Sequence, residues 1–215
     1  MGRGETEVKN LWEKRRARAE ALLERWPFAE EILRFLLEVI EVQAEVCRGA
    51  PAEAMVERIR QCAPAALPEA AARACVALAR RAGTEVRRLE GDGASGRCPA
   101  CGGAPAVGIL REDRDDQAVA RWLVCGGCAA EWRFARVLCP SCGEESPGKL
   151  PRLTAQQIPW IRVEACDGCG RYLKSVDLTL EPSAEPWVDE LASLPLDLVA
   201  RERGYVKAAP NLAGF

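Results

Sequence analysis

The 215 residues hold 30 lysines and arginines against 32 aspartates and glutamates, a formal net charge of −2 at pH 7, and 48% of them are apolar. That composition supports one large or two modest domains with a buried core, and its balanced charge excludes bulk electrostatic attraction to a polyanion. The chain has no histidine, which removes the commonest general base, and no run approaches the roughly 18 apolar residues of a membrane-spanning helix.

The start, Met1 to Glu5, leads into charge and not into the apolar segment of a secretory signal. From Glu5 to about Glu90 the pattern is helical. Leu11, Trp12, Arg15, Ala19, Leu22, Leu23 and Trp26 recur at threes and fours, with Pro27 as the stop. The run Lys14, Arg15, Arg16 and Arg18 on that helix reads as a solvated face first and as a patch for an acidic partner second. A second helix, Phe28 to Cys47, lines up Phe28, Ile32, Phe35, Leu36, Val39, Ile40 and Val46, and Gly49 closes it. Pro51 opens a third with Met55, Val56 and Ile59 inward. A fourth begins near Pro68 and runs through Ala71, Cys75, Leu78, Ala82 and Leu89, with Gly83 as a candidate break. These stripes read as a bundle core. Cys47, Cys62 and Cys75 lie on or next to apolar faces outside any paired spacing and read as core filler.

Gly91 to Gly96 has the composition of a flexible linker. Beyond it, four Cys-x-x-Cys pairs fall at Cys98/Cys101, Cys125/Cys128, Cys139/Cys142 and Cys166/Cys169, and the last two pairs repeat the first two 41 residues later. Each pair is a tight turn that aims two sulfurs at one point, and a glycine after the second cysteine, as in Cys98-Pro-Ala-Cys-Gly and Cys139-Pro-Ser-Cys-Gly, lets the backbone leave with positive φ. Two such turns make a four-thiolate cage suited to zinc or iron, closed and structural because no ligand position is left open. Consecutive pairing, first with second and third with fourth, is preferred over a cross-braced arrangement. A duplicated unit carrying one whole cage can fold alone, whereas a half-cage cannot satisfy its thiolates. Paired cysteines of this kind point to a reducing compartment, the cytoplasm.

Within the first repeat, Val107–Leu110 and Ala118–Val124 flank the polar tip Arg111–Gln117 as a hairpin, and Glu131–Leu138 alternates as a third strand. The second repeat has an irregular arm, Glu144–Pro159, then strands near Trp160–Glu164 and Arg171–Leu180. Prolines then punctuate two short helices, Trp187–Leu194 and Leu196–Arg203, whose stripe of Trp187, Leu191, Leu194 and Leu198 packs the tail back on the protein. The adjacent acids Asp115-Asp116 and Glu144-Glu145 read as solvated loop residues, so no catalytic residue is assigned. The expected fold is α+β: a helical bundle and linker over 1–97, tandem rubredoxin-like or zinc-ribbon four-cysteine metal modules over 98–138 and 139–180, and a short helical tail over 181–215.

The runs Cys98-Pro-x-Cys-Gly, Cys125-x-x-Cys128 with Glu131-Trp132, Cys166-Asp-x-Cys-Gly-Arg-Tyr-Leu-Lys174, and Leu194-Pro-Leu-Asp197 with Gly204-Tyr205 resemble the formate dehydrogenase accessory protein family over about residues 98–212. Arg18 to Gln43 resembles that family's N-terminal helices, and the stretch from Gln43 to Cys98 is shorter than is usual there. The resemblance implies two rubredoxin-like sites, iron favoured and zinc possible. It implies a non-enzymatic role in maturing formate dehydrogenase by binding its catalytic subunit in the cytoplasm. Residue by residue it carries over the metal ligands Cys98, Cys101, Cys125, Cys128, Cys139, Cys142, Cys166 and Cys169. A nucleic-acid-binding zinc ribbon is an alternative, opposed by the 10 basic and 10 acidic residues of 98–177. A rubredoxin-type electron carrier is another, requiring iron near the surface, and a metal-free thiol-disulfide enzyme is disfavoured by the duplicated cages.

Overall fold

The structure, a computed structural model, describes residues 3–63, 67–82, 87–113 and 118–213. The proposed helix break at Gly83 and most of the hairpin tip, Asp115-Asp116 included, lie outside the described residues. The chain divides into two compact units, Met1–Val86 and Arg87–Phe215.

The first unit is helical: α1 (Arg3–Arg25), α2 (Glu30–Cys47), α3 (Ala52–Cys62) and α4 (Glu69–Ala82). Helix α2 is central because α1, α3 and α4 all pack on it. Its apolar face is correspondingly wide, with Ile32, Leu33, Phe35, Leu36, Val39, Ile40, Val42 and Val46 buried. Each such side chain contributes on the order of 1.5–3 kcal/mol. Phe28 departs from its expected place on that face: Pro27–Ala29 forms a separate 3-10 turn, which leaves the ring exposed and stacked on Trp26 at 5.6 Å. The basic run on α1 is not all solvated. Arg15 and Arg18 are buried, and the Arg15 guanidinium lies 4.9 Å above the Trp12 ring. Cys47 and Gln43 donate to the α4 carbonyls of Ala79 and Cys75 at 3.3 Å each. Burial pushes the thiols of Cys47, Cys62 and Cys75 upward, the last to about 12, so all three are poor thiolates.

The second unit is one eight-stranded sheet with two helices. Its strands are β1 (Arg88–Gly93), β2 (Pro105–Glu112), β3 (Val119–Cys125), β4 (Glu131–Phe134), β5 (Arg152–Thr154), β6 (Ile161–Cys166) and β7 (Arg171–Asp177), followed by α5 (Pro186–Ala192), α6 (Leu194–Glu202) and β8 (Val206–Lys207). The order β1-β4-β3-β2-β7-β6-β5, with β8 also on β7, joins the two repeats through a parallel seam in which Gly108, Ile109 and Leu110 face Ser175, Val176 and Asp177. The repeats are therefore halves of one sheet.

The residues expected to be linker are structured. Arg88 to Gly93 pairs in parallel with β4, and Leu89, expected on a helix, packs on the core beneath it. Just beyond, Gly96 lies so close to the second repeat that a Cβ there would sit 1.8 Å from the carbonyl oxygen of Pro140. Because that obstacle is backbone, Gly96→Ala is expected to destabilise this unit by about 1–3 kcal/mol, measured as a lowered urea midpoint with unchanged slope. The tail helices form within a residue or two of their expected bounds. Glu185 caps α5 by accepting from the amides of Trp187 and Val188 at 2.9 and 3.0 Å. Leu191, Leu196 and Ala200 carry the packing, whereas Leu198, expected inward, is exposed.

Candidate metal centres

Hydrogen bonds across strand ends set the cysteines. Each knuckle closes with a short backbone turn, the amides of Gly102, Ala129, Gly143 and Gly170 donating to the carbonyls of Cys98, Cys125, Cys139 and Cys166 at 2.8–3.0 Å. All four residues have positive φ, and three are glycine as the motif requires. The fourth is Ala129 at φ 56, a conformation that costs a side chain roughly 1–2 kcal/mol. Ala129→Gly is accordingly expected to raise stability by about 0.5–1 kcal/mol, readable as a small upward shift of the thermal midpoint.

The sulfurs of Cys98, Cys101, Cys125 and Cys128 all lie within 4.8 Å of one another, as do those of Cys139, Cys142, Cys166 and Cys169. The grouping is consecutive. The nearest separations are 3.6 Å for Cys98–Cys128 and 3.4 Å for Cys101–Cys125, and 3.7 Å for Cys139–Cys169 and 3.6 Å for Cys142–Cys166. A tetrahedron with metal–sulfur bonds of about 2.3 Å has edges of about 3.8 Å, so each set fits one ion with four thiolate ligands. Backbone amides already face the sulfurs: Gly127 donates to Cys125 at 3.3 Å and Ser141 to Cys139 at 3.4 Å. Burial alone would raise Cys101, but the Gly103 amide and the other three sulfurs bring it down to about 7, toward the thiolate a metal needs. In both sets the second cysteine, Cys101 or Cys142, is exposed while the first and third are buried, and in the second set Cys169 is half-buried.

Each cage is fixed to the sheet. Cys98, Cys125 and Cys128 belong to a core with Leu123, Trp132, Phe134 and Leu173. Trp132 and Leu173 stand one repeat length apart in the sequence, and here they fill a shared core. The indole of Trp132 donates to the Ser95 carbonyl at 3.0 Å. The second cage is braced from the first repeat: buried Arg121 on β3 donates to the carbonyls of Ala135 and Leu138, just before Cys139, and pairs at 2.5 Å with Glu164, two residues before Cys166. Arg162 and the Ser175 hydroxyl also bind that carboxylate at 2.9 Å each. Burial opposes the charge on Glu164, and Arg121 and Arg162 hold its pKa below the usual carboxylate range.

Models of the central domain of FdhE and of its C-terminal domain match residues 97–136 and 137–213. The chain belongs to the FdhE family. Among curated relatives, an FdhE homologue of Aquifex aeolicus is 33% identical over 118 residues, 55% of this chain and 41% of its own. One of Stutzerimonas stutzeri is 41% identical over 116 residues, 54% of this chain and 37% of its own. FdhE of Escherichia coli is 37% identical over 116 residues, 53% of this chain and 36% of its own. The matched stretch thus spans about two fifths of these relatives' lengths. The crystal structure of the FdhE protein from Pseudomonas aeruginosa has the same fold, with a TM-score of 0.76 at 22% identity over 95% of this chain and 96% of that one. The helical unit, the shared sheet and the tail helices all follow the FdhE architecture.

A second polar cluster, unforeseen in the sequence as an interacting set, joins the tail to the sheet. Lys174 on β7 is fully buried and contacts Asp197, the Glu190 carbonyl and, at 3.2 Å, the Glu190 carboxylate. Lys207 on β8 reaches the same two acids at 2.6 and 2.7 Å, and the Tyr172 hydroxyl donates to Asp197 at 2.8 Å. Two cations and two carboxylates cancel. The available signal was Lys174 itself, a cation within a strand whose residues Tyr172 to Val176 are all buried.

Proposed function

We propose that this chain is an accessory protein for formate dehydrogenase that binds the catalytic subunit during its maturation in the cytoplasm, with the eight paired cysteines ligating two metal ions. The observation that carries the proposal is the pair of four-sulfur cages set into one continuous sheet. A closed cage offers no coordination position to substrate, so the metal serves to hold a surface in shape, and the chain acts by binding and not by catalysis. Family membership supplies the expected partner and favours iron over zinc. Among the described residues no helix is long and apolar enough to cross a membrane, consistent with a role ahead of any membrane step.

The test is a pull-down of the catalytic subunit from cells expressing formate dehydrogenase, using the wild-type chain and a variant with Cys139→Ser and Cys142→Ser. Recovery is expected with the wild type and loss with the variant. Equal recovery with the variant's second cage shown metal-free would remove the cages from the binding mechanism. The exposure of Cys101 and Cys142 favours one other reading, electron transfer through iron. A reversible bleaching of the protein's colour by a mild reductant, coupled to turnover of a redox partner, would establish that reading instead.

A further inference from the structure

A cleft of about 440 Å³ opens beside the second cage, within the usual size range of a ligand site. Its buried lining includes Arg121, Cys139, Cys166 and Leu173, which form its floor, while Arg136 from the loop after β4, Arg152 on β5 and Arg171 on β7 line it as exposed residues. Apolar surface lies between them, chiefly Val137, which is 44% exposed, and half-buried Leu138.

The charge of this cleft is unbalanced. Glu164 is its sole acidic lining residue, and that carboxylate is already taken up by Arg121, Arg162 and Ser175. Arg136, Arg152 and Arg171 make no ion pair among the described residues, although arginines elsewhere, such as Arg34, Arg58 and Arg73, are paired with nearby glutamates. At the floor, the Nε of Arg121 is buried without a hydrogen-bond partner in a side chain only 2% exposed. Four thiolates around a divalent ion would place a formal −2 at the floor, and Arg121 with the rim guanidiniums still leaves the lining net positive. Guanidiniums of this kind recognise carboxylates through paired N–H donors, and the apolar patch between them suits the methylene stems of acidic side chains.

We infer that this cleft binds an extended acidic peptide segment, with carboxylates on alternate residues, supplied by the protein partner. An extended strand projects alternate residues to opposite sides, so carboxylates two residues apart can reach separate rim arginines. The cleft opens along a rim of exposed side chains and is not sealed over, which suits a segment entering and leaving more than an enclosed small acid. The assignment rests on the proposed partner-binding role and deepens it.

The test uses the metal-loaded full chain and a blocked heptapeptide of alternating valine and glutamate, titrated calorimetrically beside its glutamine counterpart and beside succinate. Saturable binding of the glutamate peptide below about 1 mM is expected, weakened at least about tenfold by glutamine in the peptide or by combining Arg136→Gln, Arg152→Gln and Arg171→Gln in the protein. Unchanged metal content in the triple variant confirms that its second cage is intact. Equal binding of the two peptides, equal binding by the variant, or no saturation would overturn the inference, and succinate binding as tightly as the peptide would reassign the cleft to small acids. Because this titration needs no formate dehydrogenase, its failure leaves the pull-down result standing, and the converse holds.

Discussion

Replacing Asp197 with alanine is expected to cost about 3–5 kcal/mol of unfolding free energy, the largest effect of any substitution remote from the cysteines. Asp197 is fully buried and accepts from Lys174, Lys207 and Tyr172 at once. Its loss leaves two buried ammonium groups with Glu190 as their remaining carboxylate. The same network sets an acid limit. Burial alone would raise the Glu190 pKa, but Lys174 and Lys207 hold it at about 2, below the ordinary 4.5. A carboxylate depressed in the folded state contributes stability that is fully present above about pH 4.5 and is lost as pH falls through about 2. At about 1.4 kcal/mol per unit that contribution is on the order of 3 kcal/mol. Desolvation also lowers the Lys174 pKa, so its charge is a cost that Glu190 and Asp197 offset, and that cost falls in the alkaline range, outside this acid window. Urea midpoints at neutral pH and near pH 3 measure both: the wild type should weaken on acidification, and Asp197→Ala should already be weak at neutral pH.

Cys98→Ser is expected to empty the first cage and spare the second, taking bound metal from two ions per chain toward one. The grouping of sulfurs is consecutive, so Cys98 belongs with Cys101, Cys125 and Cys128 and shares no site with Cys139. The loss spreads beyond the ion, because Cys98, Cys125 and Cys128 lie in the core with Leu123, Trp132 and Leu173. Coupled metal binding and folding make a destabilisation on the order of several kcal/mol the expected outcome. Trp132 fluorescence reports it, since the indole lies in that core and is bonded to Ser95. Metal lost equally from both cages, with Arg121 still in place, would show the two sites to be one cooperative unit.

The 41-residue repeat made both cages legible, because a metal site is specified by local turns whose spacing the sequence displays. Helices α1 to α4 were legible for a similar reason, their apolar positions recurring every three or four residues. What escaped notice depends on partners distant in sequence. Leu89 continues a helical period and Gly91 to Gly93 carries the composition of a linker, yet β4 offers Arg88 to Gly93 an open edge and pairing imposes extension. The three-residue β5 and two-residue β8 are too short to show alternation and exist through their pairing with β6 and β7. The parallel seam that makes one sheet of two repeats leaves no mark in either repeat alone. Likewise nothing in the sequence singles out Arg121, and only the fold brings it to the backbone ahead of Cys139 and to Glu164.

Metal analysis joined to X-ray absorption, on protein prepared without added zinc, tests the central claim most directly. The account predicts two ions per chain, each with four sulfur neighbours at about 2.3 Å and no nitrogen or oxygen ligand, with an iron-loaded preparation coloured and a zinc-loaded one colourless. Fewer than two ions per chain, a mixed ligand shell, or cysteines joined as disulfides in metal-free but folded protein would contradict it.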